Sequence, residues 1–63
     1  MEGERAKLSS AATALDDLLA SVQESTAQVK EAGREDLAAD LYEVERSLEA
    51  AGRRLATVVR QLR

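Results

Sequence analysis

Apolar residues in this chain recur at a helical spacing, in two separate rows. In the first half the row consists of Leu8, Leu15, Val22 and Val29 at heptad position a and Ala11, Leu18, Ser25 and Ala32 at position d. In the second half the row alternates steps of four and three, with position a at Leu41, Leu48, Leu55 and Leu62 and position d at Leu37, Val44, Ala51 and Val58. Strands repeat every two residues, so this spacing predicts an all-helical chain.

The two rows do not share one register, and Gly33 lies between them. Continuing the first heptad would place Asp36 at position a, whereas Gly33 suits the left-handed conformation that follows a helix. The pattern therefore predicts an antiparallel, coiled-coil-like hairpin. Its predicted parts are helix one at about residues 5–32, a turn at about 33–35 and helix two at about 36–62, forming one domain.

Two alternatives remain open at this point. Val29, Gly33 and Leu37 step by four, so one continuous helix with a coiled-coil stutter also fits the pattern. Within the hairpin, folding about Gly33 pairs positions whose numbers add up to 66, and a turn near Asp36 would pair positions that add up to 73.

The small size of the chain indicates that it associates. A chain of 63 residues buries little apolar surface on its own, and small domains compensate with disulfides, metals or partners. This chain has no Cys and no His, so association remains. The simplest closed solution is a homodimer in which two hairpins form a four-helix bundle.

Helix one has a wide uncharged surface. Its charged residues fall mainly at positions b and c, and positions e, f and g from Ala12 to Gln28 carry no charge. One hairpin partner cannot cover so much surface of low polarity, so helix one is predicted to lie at the oligomer interface. The predicted interface residues are Ala12, Leu15, Leu18, Leu19, Val22 and Thr26.

Helix two carries a row of arginines on its predicted outer side. The candidate patch for nucleic acid or another anionic partner consists of Arg46, Arg53, Arg54 and Arg60. Glu43 and Glu49 lie one helical turn from Arg46 and Arg53, so ordinary ion pairs in water suffice to explain the row and are the favoured interpretation.

Catalysis is not expected from this sequence. Without His or Cys the usual bases and thiolates are missing, and the three glycines are too dispersed to form a phosphate-binding loop. We therefore expect no enzyme activity, no cofactor, no metal site and no small-molecule substrate. No apolar run reaches the length of a membrane span, and Met1–Arg5 is not followed by the apolar segment of a signal peptide, so a cytoplasmic protein is expected.

In outline the chain resembles the small hairpins that dimerise into four-helix bundles, although it carries no motif of theirs. The leading hypothesis is a non-enzymatic helical-hairpin interaction module that binds its own copy and serves as an adaptor, a regulator or an assembly piece. One alternative is a homodimer that binds RNA or DNA through the arginine row. A second alternative is a small regulator, such as an anti-sigma factor or an antitoxin, that folds on a different helical protein.

Overall fold

Two long α-helices joined by a short turn make up the protein. The computed structural model describes residues 2–62, with α1 at Glu2–Glu31 and α2 at Glu35–Gln61. The Cα atoms extend over 48 × 14 × 10 Å, so the antiparallel helices lie side by side in one layer. The predicted all-helical hairpin is confirmed, and the alternative of one continuous helix is wrong. The homodimeric bundle remains a prediction.

The turn is built by backbone hydrogen bonds around Gly33. This glycine has a φ of +82°, and its N–H donates to the carbonyl of Lys30 at 3.0 Å. The N–H of Arg34 donates to the carbonyl of Val29 at 3.1 Å. These two bonds form a Schellman motif, which satisfies carbonyls at the end of α1 and reverses the chain.

Replacing Gly33 with alanine should lower the free energy of unfolding by about 1 kcal/mol, because a Cβ disfavours the left-handed conformation. Nothing lies within 4 Å of the position that the Cβ would take, so the loss would come from the backbone alone. Gly3→Ala is the control, since Gly3 also has free space but lies within α1 at a helical φ. Urea denaturation of both variants measures the difference, and equal stabilities would contradict this account of the turn.

An ion pair lies at the start of α2. The Nε and Nη2 atoms of Arg34 donate to the two carboxylate oxygens of Asp36, at 3.2 and 3.1 Å. This guanidinium, followed by the backbone N–H of Leu37, lowers the pKa of Asp36 below its ordinary value of 3.8. Because the pKa is lower in the folded state, the pair stabilises the turn at neutral pH, and that contribution is lost as the pH falls through the lowered pKa. Both side chains are exposed, so the contribution is small.

The two helices contact each other through heptad positions a and e. On α1 the buried and half-buried side chains that face α2 are Leu8, Ala12, Leu15, Leu19, Val22, Thr26 and Val29. On α2 the corresponding residues are Ala38, Leu41, Glu45, Leu48, Gly52, Leu55 and Val59, and Leu62 follows directly after the helix. Both rows again alternate steps of three and four, so each helix presents a straight stripe to the other.

The expectation that position d lines the hairpin is therefore wrong. Ser25, predicted to be a core residue, is exposed, while its neighbour Thr26 is 3% exposed. Position e of α2 includes two of the smallest residues of the chain, Ala38 and Gly52. Ala38 is 1% exposed, and an added Cβ at Gly52 would lie 3.8 Å from a methyl group of Leu15. Small residues here let the two backbones approach closely.

A polar contact between Thr26 and Glu45 crosses the seam. The hydroxyl of Thr26 lies 2.6 Å from Oε2 of Glu45 on α2 and 2.9 Å from the carbonyl of Val22 on its own helix. Because the hydroxyl has one proton, it donates to one of these two acceptors at a time. Thr26 thereby gives the half-buried carboxylate of Glu45 a hydrogen-bond donor and links α1 to α2.

The contact of Leu15 with Gly52 gives the register of the hairpin. Residues at the same height have numbers that add up to about 67, since both helices rise by about 1.5 Å per residue. This value lies within one residue of the predicted 66, and the alternative register of 73 is wrong. The central hydrophobic layer then sets Leu19 beside Leu48.

Candidate functional site: an open apolar face

Large apolar side chains remain exposed on both helices. Leu18 on α1 is 50% exposed, and Val58, Val44 and Leu37 on α2 are 46%, 43% and 40% exposed. All four occupy heptad position d. They are the residues that the sequence pattern assigns to a core and that the hairpin leaves outside it.

These residues lie on one side of the hairpin. On each helix, position d is displaced in the same rotational sense from the a and e stripe that faces the other helix. A two-fold axis perpendicular to the plane of the hairpin exchanges the two antiparallel helices. This rotation leaves the two flat sides of the hairpin unchanged. Equal displacements therefore point to the same side. We call this side the open face, formed by Ala11, Leu18, Ser25, Leu37, Val44, Ala51 and Val58.

The opposite side of the hairpin is polar. It carries position b of each helix, with Asp16, Gln23 and Lys30 on α1 and Glu49 on α2. Tyr42 also lies there and is 43% exposed. The contrast between the two sides makes the hairpin amphipathic as a whole, in addition to each of its helices.

The structure places five of the six predicted interface residues inside the hairpin. Five side chains lie in the seam against α2: Ala12, Leu15, Leu19, Val22 and Thr26. Leu18 is the member that lies on the open face. The predicted interface residues of α1 therefore lie mostly between the two helices, and the oligomer interface itself remains a prediction. Sequence reasoning also missed Leu37, Val44 and Val58 as surface residues, because their spacing is that of a core.

The exposed surface is large for a chain of this mass. Its accessible surface is 4785 Å², whereas a compact protein of 6.8 kDa exposes about 4,000 Å². No large side chain among residues 2–62 is fully buried. The Cα extents of 48 and 14 Å give each flat side about 670 Å² before side chains are counted, close to the roughly 800 Å² that each partner buries in a stable interface.

The candidate arginine patch is partly engaged within α2. Arg46 pairs with Glu43 at 3.6 Å, with both side chains exposed, and Nη2 of Arg60 donates to the hydroxyl of Thr57 at 3.2 Å. Heptad geometry separates the set, because Arg53 lies at position f and Arg54 at position g, on the flank of the open face. Binding of nucleic acid to this patch remains a prediction.

Shallow grooves lie at the end of the hairpin away from the turn. One is lined by Glu2, Arg5, Ala6, Ser9 and Val59, and another by Arg5, Thr57, Arg60 and Gln61. Both are open to solvent. Within residues 2–62 no three acidic side chains come close enough together to hold a metal ion. Neither helix, over the part that the structure describes, is long and apolar enough to cross a membrane.

Comparison of the chain with models of protein families, with curated proteins and with solved structures finds no match. The fold and the surface define its class: a small antiparallel helical hairpin with one apolar and one polar side.

Proposed function

We propose that this chain is a non-enzymatic interaction module that binds helical surfaces through its open face, its own copy first. Two hairpins joined in this way form a four-helix bundle, and the bundle serves as an adaptor, a regulator or an assembly piece. The proposal accounts for the exposed Leu18, Val44 and Val58, which have no function in an isolated hairpin in water.

The observation that carries this proposal is the direction of the apolar stripe on each helix. Positions a and e point at the other helix, and the midline of positions a and d lies about 50° away from that direction, toward the open face. In a square bundle the centre lies about 45° from the direction to either neighbouring helix. On α2 positions a and d form the stripe richest in apolar residues, and the direction of this stripe fits the centre of a four-helix bundle better than the direction of α1. On α1 the stripe of positions a and d is as apolar as the stripe of positions a and e.

The seam within the hairpin supports the same proposal. It contains Glu45 and Gly52, whereas the open face of α2 has Val44 and Ala51 at the preceding positions. A hairpin that was complete by itself would bury the larger apolar residue of each pair. Here the larger residues are left for a partner.

Sedimentation equilibrium combined with circular dichroism tests this function across a dilution series from about 100 μM to about 0.1 μM. We expect a dimer at high concentration that loses mass and helicity together on dilution, because the hairpin alone buries little apolar surface.

Two results would contradict the proposal. A monomer that stays helical over the whole series would show that the hairpin needs no partner. A monomer that is poorly helical at every concentration would exclude self-association and would instead support folding on a different protein.

A further inference from the structure

Two closed arrangements can join two hairpins through their open faces. In both, a two-fold axis lies in the plane between the copies. If the axis is parallel to the helices, α1 lies over α2 of the partner and both turns are at the same end. If the axis is perpendicular to the helices, α1 lies over the partner's α1, α2 lies over the partner's α2, and the turns are at opposite ends.

The residues of α2 at the open face are arranged symmetrically about Ser47. The apolar row Leu37, Val44, Ala51 and Val58 has its midpoint between residues 47 and 48. On the flank of this row, at position g, Asp40 lies seven residues before Ser47 and Arg54 lies seven residues after it. The apolar row and the two charges thus share a centre to within half a residue, or about 1 Å of helix rise.

Such a row is complementary to an antiparallel copy of itself. About this centre, Leu37 faces Val58 and Val44 faces Ala51, so that each layer pairs a larger side chain with a smaller one. Asp40 of each copy then lies beside Arg54 of the other copy, and this charge pair occurs twice. Within the described chain the ion pairs are Arg34 with Asp36 and Arg46 with Glu43, so neither Asp40 nor Arg54 is engaged in one.

The open face of α1 is compatible with a two-fold axis at the height of Ser47. At the height of Ser47 the register of the hairpin places residue 20 of α1. Between residues 11 and 28, positions d and g of α1 are uncharged: Ala11, Ala14, Leu18, Ser21, Ser25 and Gln28. Two antiparallel copies of this row make no like-charge contact, and four of its six residues are Ala or Ser, so the α1 helices can approach closely.

The other arrangement leaves both charges without a partner. With the turns at the same end, Asp40 and Arg54 would each lie over the uncharged row of the partner's α1. Partly desolvating an unpaired charge is unfavourable. We propose that the copies join with their turns at opposite ends, and that Asp40 and Arg54 specify this arrangement by pairing across the interface. This inference rests on the proposed self-association.

Charge exchange tests the pairing. Asp40→Arg would place two arginines together at both ends of the interface, and Arg54→Asp would place two aspartates together. Each single change should weaken the dimer about tenfold at low salt, and less at high salt because the groups are at the rim. The double variant Asp40→Arg with Arg54→Asp should restore the affinity, and so should an equimolar mixture of the two single variants, as a heterodimer. Sedimentation measures all four samples.

Distances between spin labels test the arrangement independently. The chain has no Cys, so Ala32→Cys and Ser47→Cys each give one labelling site per copy. With the turns at opposite ends, labels at residue 32 should lie about 36 Å apart along the helix axes, from about 12 residues of helix rise on each side of the two-fold axis. Labels at residue 47 should lie much closer together than that.

These experiments distinguish a failure of the antiparallel arrangement from a failure of self-association. A wild-type chain that is monomeric at every concentration would contradict the proposed self-association. A dimer whose labels at residue 32 are close together, or whose affinity is not restored by the double exchange, would overturn the antiparallel arrangement and leave self-association standing.

Discussion

The double variant Leu18→Lys with Val44→Lys should dissociate the protein into monomers and lower its helicity. In the proposed bundle the four new ammonium groups of a dimer would lie near its centre without a counter-ion. An uncompensated buried charge costs about 3 to 5 kcal/mol, so the affinity should fall by more than about a hundredfold. Sedimentation equilibrium at several protein concentrations measures the change, with circular dichroism on the same samples.

The matched control is Ala20→Lys with Ala39→Lys. Both alanines are exposed at position f, away from the open face, and the variant carries the same added charge. Acidic neighbours one turn away, Asp16 and Glu24 for residue 20 and Glu35 and Glu43 for residue 39, favour lysine at these places. The control should therefore dimerise like the unmodified chain. If both variants dimerise equally well, the open face is not the interface.

Replacing Thr26 with valine should lower the free energy of unfolding by about 2 kcal/mol, the typical value of a hydrogen bond to a charged group. Valine has nearly the shape of threonine, so packing in the seam is kept. The carboxylate of Glu45 would lose the donor that now lies at 2.6 Å. Chemical denaturation at one fixed protein concentration measures the loss.

Thr13→Val is the matched control for this change. Thr13 lies on the same helix, and its hydroxyl also bonds the carbonyl four residues earlier, at 3.4 Å from Ser9, but it is exposed and faces away from α2. Its replacement should change the stability by less than about 0.5 kcal/mol. Equal effects at residues 13 and 26 would show that the contact with Glu45 contributes nothing to the hairpin.

The architecture of the hairpin could be predicted because its signals are local. The heptad spacing leaves helix as the one compatible period, and Gly33 lies between two rows that differ in register. The left-handed φ of Gly33 and the hydrogen bonds around it are those that the sequence leads one to expect. A turn at this point also brings the hairpin within one residue of the predicted register.

The inner and outer parts of the candidate site could not be separated from sequence. On α1, positions d and e hold nearly the same residues in each heptad: Ala11 and Ala12, Leu18 and Leu19, Ser25 and Thr26. Either position can line a seam, because hydrophobicity and volume are almost equal within each pair. On α2 the sequence favours Val44 over Glu45 for burial, which is the reverse of what the hairpin does.

By itself the sequence determined that the chain is helical, where it turns and which stripes of each helix are rich in apolar residues, since each of these depends on residues close together in the chain. The tertiary structure decided the direction in which those stripes point. Close approach at Ala38 and Gly52 and the bond from Thr26 to Glu45 rotate both helices, so that Leu18, Val44 and Val58 lie outside. The rotation of a helix about its own axis depends on the side chains that the neighbouring helix places opposite each residue. The apolar repeat of one helix does not contain that information.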